Sequence, residues 1–129
     1  MANKPQRVIE FYFDQLPPSL NGKYGLLRMH WAARGRLQDA WTLLVKNRAQ
    51  HLPESQHQIA HCQILFTLYV RTLMDWDNAY ARFKILGDAL VAAGVISDDS
   101  PSAVEALTCD QLKVRGRDRQ GCAVRISYR

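Results

Sequence analysis

Hydrophobic and polar residues alternate in several parts of the chain, which is typical of strands that bury one face. The alternation runs from Arg7 to Phe13 and, over a longer stretch that suits a central strand, from Ile59 to Arg71. Residues Ala103 to Arg115 and Cys122 to Tyr128 also have strand character, and Gly116 to Gly121 is typical of a hairpin connection between them. The pattern therefore predicts four strands, with a hairpin at the end of the chain.

Two other segments have the period of an α-helix. The first runs from about Trp31 to Gln50, ends shortly before Pro53, and has an apolar stripe of Leu37, Ala40, Trp41, Leu44 and Val45. The second begins near Asp77 or Asn78, because the short side chain of either residue can cap a helix. Gly94 suits the left-handed position that follows its last turn.

The predicted order is strand, helix, strand, helix, strand, strand, which favours an α+β fold with one mixed β-sheet and two main helices. A chain of 129 residues is long enough for one real hydrophobic core, so we expect a single domain over residues 1–129. The three widely spaced cysteines, Cys62, Cys109 and Cys122, are expected to be buried free thiols.

Charge and hydropathy limit the kinds of partner and the cellular location that we expect for the protein. Seventeen basic residues against twelve acidic ones give a net charge of +5, which permits a polyanionic partner without identifying one. No apolar run approaches the roughly 20 residues that span a bilayer, and the first residues do not resemble a secretory signal. We therefore expect no membrane partner and a cytoplasmic location.

The strongest candidate for a metal or catalytic site is the segment Asp75-Trp76-Asp77-Asn78, which lies between the long strand and the second helix. In extended backbone, residues two apart point the same way, so Asp75 and Asp77 can converge on one cation. Mg²⁺ and Mn²⁺ prefer oxygen ligands and take one or two carboxylates together with substrate phosphate. Lys84 can add positive charge near a phosphate.

Each of these residues also has an ordinary structural interpretation. The aspartates before the helix can be cap and turn residues, and the Asp98-Asp99 pair can belong to a solvated loop. Lys84 can be a solvated helix lysine. Trp76 can be part of the core, which we favour, or can stack on a base.

The order of these residues resembles the core motif of the RusA-like Holliday junction resolvases of phages and prophages. The matching segments are Leu16–Asn21, Asp75–Asn78 with Lys84, Gly87–Leu90, Ala93–Ile96 and Asp98-Asp99. The resemblance extends over roughly residues 9–128. It implies a homodimeric, Mg²⁺-dependent endodeoxyribonuclease, with Mn²⁺ as a possible substitute, that nicks four-way DNA junctions symmetrically in recombination and repair.

The resemblance also implies roles for single residues. Asp75, Asp77 and Asp99 would be catalytic metal ligands, with Asp98 as a neighbour, and Lys84 would be the active-site lysine. Five residues separate Asn78 from Lys84, where the family has two, so Arg82 is a rival cation. The expected contacts to DNA phosphates are Lys23, Arg28, His30 and Arg34, together with Arg71, the nearest cation before the motif, and Arg82.

Two other functions compete with a junction-resolving nuclease. One is a catalytically silent module from a decayed prophage that binds branched DNA, although all three key aspartates are present. The other is a metal-dependent hydrolase of free nucleotides, which the absence of a glycine-rich phosphate loop disfavours.

Overall fold

The computed structural model of the chain describes residues 6–19, 29–53 and 56–129. Its elements are, in order, β1 (Arg7–Phe13), α1 (Trp31–Ala49), β2 (Cys62–Val70), α2 (Trp76–Ala81), α3 (Phe83–Ala92), β3 (Val104–Lys113) and β4 (Gly121–Tyr128), with a 3-10 helix at Arg117–Arg119 before β4. The predicted α+β fold is confirmed. The second predicted helix consists of α2 and α3 together.

The four strands form one mixed sheet in the order β1-β4-β2-β3. Strand β2 pairs in parallel with β3 and antiparallel with β4, while β1 pairs antiparallel with β4. The long strand is therefore an interior strand of the sheet, as its alternation predicts.

The predicted hairpin between the last two strands is wrong, because β3 and β4 lie on opposite sides of β2. The connection passes the carboxyl end of β2, where the side-chain oxygen of Gln120 accepts a hydrogen bond from the Arg71 N–H at 3.1 Å. Burial explains the arrangement: β4 is buried along most of its length, whereas β3 has exposed charged residues such as Glu105 and Asp110. The charged strand takes the edge of the sheet.

The core lies between the helices and one face of the sheet. Phe66, at the middle of β2, is fully buried, and its ring lies 5.3 Å from the ring of Phe83 in α3, measured between centroids. Trp41 of α1 packs against Phe13 of β1 at 5.6 Å. The three cysteines are buried free thiols, as expected. These contacts fix both helices on the sheet.

The outer edge of β3 is covered by side-chain oxygens. The backbone N–H of Cys109 donates to the Tyr80 hydroxyl at 3.2 Å, so it faces α2 and not β2. Gln111 is two residues further along, and its N–H donates to the carboxylate of Asp110 at 2.9 Å. These two backbone donors on the edge are thus satisfied within the chain.

The two helical segments after β2 are separated at Arg82, which itself has right-handed helical backbone angles (φ −66°, ψ −17°). The predicted helix end is confirmed, because Gly94 has a φ of +76°. Along the described ranges, no helix has the length and apolar character that crossing a membrane requires.

Candidate functional site

Asp75 and Asp77 lie at the junction of the β2–α2 loop with α2. Asp75 is the N-cap: it accepts hydrogen bonds from the Asn78 backbone N–H at 3.0 Å and from the Asn78 side-chain amide at 3.3 Å. The expectation that Asp77 or Asn78 caps this helix is therefore wrong. Asp77 lies in the first turn, and both aspartates are exposed. Capping and cation binding are compatible here, because a carboxylate has more lone pairs than the cap uses.

The loop before Asp75 is held at both ends by glutamines, one in β3 and one just before β4. Gln111 of β3 accepts from the Met74 N–H and donates to the Met74 carbonyl, each at 2.9 Å. Gln120, just before β4, accepts from the Arg71 N–H. The backbone that presents the two aspartates is consequently fixed by the sheet, as a preorganised site requires.

Asp99 belongs to a cluster with Asp88 and Lys84 of α3. Burial raises the pKa of Asp99, and a hydrogen bond with the Asp88 carboxyl and its negative charge raise it further, while Lys84 acts in the opposite direction. The Lys84 ammonium lies 3.4 Å from the Asp88 carboxylate. Lys84 and Asp99 line a cavity of about 440 Å³ beside Tyr80. The turn that contains Asp99 is thus brought against the helix.

Lys84 also lines a second cavity, of about 320 Å³, together with Trp31 and Arg34 from the first turns of α1. Asp88 lies in the same cavity. The predicted DNA contact Arg34 is therefore close to the predicted active-site lysine, although the two residues are distant in sequence. This side of the protein has a cationic residue from each of two helices.

The two rival cations point to different places. The Arg82 guanidinium donates a hydrogen bond of 2.6 Å to the carbonyl of Pro17, and burial lowers the pKa of Arg82. Lys84 is the cation beside Asp99. Pro17 belongs to the described part of the segment that resembles the family loop, and Arg82 ties Pro17 to the break between α2 and α3.

The remaining predicted residues have varied positions. His30 is the N-cap of α1, where its Nδ1 accepts from the Ala32 N–H at 3.3 Å. Trp76 is 55% exposed, so the core interpretation is wrong for it. Lys23 and Arg28 lie outside the described residues.

Asp88 was not among the predicted site residues. Two signals point to it: it stands four residues after Lys84, where helical side chains meet, and it belongs to the Gly87–Leu90 segment of the resemblance. Its contact with Asp99 comes from the fold and not from the spacing. We therefore add Asp88 to the candidate site.

The carboxylates of the candidate site do not form one cluster within the described part of a single chain. Within residues 6–19, 29–53 and 56–129, no three histidine, cysteine or acidic side chains gather in a way that could hold a metal ion. Asp99 lies beside Asp88 within the chain, and its part in a metal site with Asp75 and Asp77, which the resemblance implies, stays a prediction. The expectation that Asp75 and Asp77 point the same way from extended backbone is wrong, because Asp77 lies in the first turn of α2. Both remain exposed carboxylates, and Mg²⁺ takes one or two carboxylates while keeping several waters.

Asp99→Asn should stabilise the protein at neutral pH. The raised pKa means that folding disfavours the charged form of Asp99. The contribution of Asp99 to the free energy of unfolding is therefore most favourable at low pH, and it is lost as pH rises above about 4. We expect a gain of less than about 1 kcal/mol at pH 7, because the group is largely exposed. Urea unfolding from pH 4 to pH 7 measures the difference from wild type, which should grow with pH.

Asp98→Asn is the matched control, and we expect it to change the stability at neutral pH in the opposite direction, as a loss. Hydrogen bonds from Ser100 and from the Asp99 backbone N–H lower the pKa of Asp98, so its charged form is favoured in the folded state. Its contribution is present at neutral pH and is lost as pH falls. If the two variants change the stability in the same direction at pH 7, the carboxyl contact between Asp99 and Asp88 is not formed.

The chain was compared with known proteins. None of the models of protein families matches it, and no curated protein is significantly similar to it.

Proposed function

We propose that the protein is a Mg²⁺-dependent, structure-selective endodeoxyribonuclease that resolves four-way DNA junctions by paired symmetric nicks and acts as a homodimer. The observation that supports it best is the arrangement around α2 and α3. Asp75 caps α2 at the end of a fixed loop, Asp77 lies in the first turn of α2, and Lys84 lies further along beside Asp99. Asp77 and Lys84 are seven residues apart, on either side of the separation of α2 from α3 at Arg82.

In this proposal Asp75 and Asp77 hold the cation, and Lys84 stabilises negative charge on the phosphate. When bound, Mg²⁺ lowers the pKa of an attacking water and offsets the charge that develops during cleavage. Asp88 holds the Lys84 ammonium at 3.4 Å and so restricts where the lysine can reach. The exposed aspartates and the open cavities beside Lys84 leave room for a DNA strand.

Charge and symmetry are consistent with the substrate. A net charge of +5 favours binding to phosphates, and Arg34 lines the same cavity as Lys84, which supports a phosphate contact there. A junction has two-fold symmetry, so a two-fold dimer can cut one strand of a symmetric pair with each subunit. Such an enzyme needs shape recognition more than base recognition.

The deciding experiment is a cleavage assay on a mobile four-way junction and on linear duplex of the same sequence, with Mg²⁺, with Mn²⁺ and with EDTA. We expect paired nicks in the junction arms with either metal ion, little cleavage of the duplex, and none in EDTA. Mapping the nicks on all four strands establishes whether they are symmetric.

Two outcomes would replace the proposal. Tight binding of the junction without cleavage in either metal ion would favour a silent DNA-binding module. Hydrolysis of free nucleotides with no action on DNA would favour a nucleotide hydrolase.

A further inference from the structure

An open cavity of about 470 Å³ lies at the carboxyl end of β2, beside the loop that leads to Asp75. Three arginines line it: Arg71 after β2, Arg82 at the break between the helices, and Arg117 of the 3-10 helix before β4. Among the described residues that line it there is no carboxylate. The sequence places these arginines far apart, and the fold brings them together.

None of the three arginines is neutralised within the described part of the chain. The ion pairs there join Lys84 to Asp88 and Arg125 to Glu10. Three guanidinium groups around one cavity repel each other, and this repulsion is relieved when an anion binds. The cavity is therefore electrostatically suited to a ligand of opposite charge.

Arg82 is the fixed member of the set. One of its terminal nitrogens donates to the Pro17 carbonyl, which restricts the guanidinium. Its Nε is buried and has no hydrogen-bond partner among the residues that the structure describes. Because this Nε is shielded from solvent, it is not itself the contact for an anion, but it can report on an anion that binds the rest of the guanidinium.

We propose that this cavity binds a backbone phosphate of the nucleic acid, held by Arg71, Arg82 and Arg117. That the phosphate belongs to DNA rests on the proposed function. The cavity itself would suit a phosphate group from any source. Guanidinium groups match phosphate oxygens with two parallel hydrogen bonds, which lysines do not. Because the loop from Arg71 leads to Asp75, a phosphate bound here holds a strand beside the two aspartates. The motif that resembles the resolvase family does not include Arg117 and does not predict a role for it in binding.

The test compares Arg117→Gln with Arg119→Gln. Both arginines belong to the same short 3-10 helix and are exposed, but Arg119 does not line the cavity. Binding of a fluorescent four-way junction is measured by anisotropy in Ca²⁺ over a series of salt concentrations. We expect Arg117→Gln to weaken binding about tenfold at low salt. It should also reduce the slope of log K against log salt by about 0.9, the value for one phosphate contact.

Equal changes in the two variants would overturn the proposal for DNA. If the wild-type protein binds no DNA of any form, the proposed function fails and inorganic phosphate becomes the probe. The NMR signal of the Arg82 Nε–H should then shift on titration with phosphate in wild type and in Arg119→Gln, but not in Arg117→Gln. No shift in wild type would show that the cavity is not a phosphate site.

Discussion

Asp75→Asn is expected to reduce junction cleavage by at least about 10²- to 10³-fold while leaving the melting temperature unchanged. Asparagine keeps a side-chain oxygen that can accept the hydrogen bond from the Asn78 N–H, so the helix cap survives. It removes the negative charge that a divalent cation requires. Single-turnover cleavage in Mg²⁺ measures the first effect, and thermal unfolding measures the second.

Two further variants separate the roles of the carboxylates. Asp77→Asn should lose activity to a similar extent, because Asp77 does not cap the helix. Asp75→Ala should lose activity and also about 1 kcal/mol of stability, since alanine cannot cap. Junction binding in Ca²⁺ should persist in both asparagine variants. Undiminished cleavage in both would rule out these aspartates as the metal ligands.

Phe66→Ala is expected to lower the free energy of unfolding by about 3–5 kcal/mol, the largest stability effect that we predict. Phe66 is fully buried at the middle of the central strand and packs on Phe83, so truncation leaves a cavity between the sheet and α3. The melting temperature should fall by about 10–20 °C. Urea unfolding and calorimetry measure both quantities.

The neighbouring residue provides the control for this change. Leu65 lies on the other face of the sheet and is only partly buried, so Leu65→Ala should cost much less. Phe66→Leu keeps most of the apolar volume and should fall between the two variants. If Phe66→Ala cost less than Leu65→Ala, the placement of the core on the helix side would be wrong.

Alternation and helical period predict most of the fold because they report which face of each element is buried. They predict the strand and helix positions, the α+β class and the left-handed Gly94. They do not report which strands are neighbours in the sheet. The short link between β3 and β4 therefore predicts a hairpin that the fold does not have. The exposed charges of β3, such as Glu105 and Asp110, are the signal that it is an edge strand.

The candidate site divides in the same way. The proposed aspartates and Lys84 follow from local order and from a family resemblance, which remains a prediction. The contact of Asp88 with Asp99 depends on how the turn after α3 folds back. Arg71, Arg82 and Arg117 line one cavity because the chain passes the end of β2 on its way from β3 to β4. No local pattern encodes such contacts, because the residues involved are brought together only by tertiary packing.

The covered edge of β3 restricts how two copies of the chain can associate. Adding a strand from another molecule requires free backbone donors along the edge, and the Tyr80 hydroxyl and the Asp110 carboxylate already engage those of Cys109 and Gln111. Sheet-to-sheet polymerisation through this edge is therefore opposed by contacts that would have to be broken first. A dimer that extended the sheet at β3 would first have to break these two contacts, whereas β1 is the other edge of the sheet.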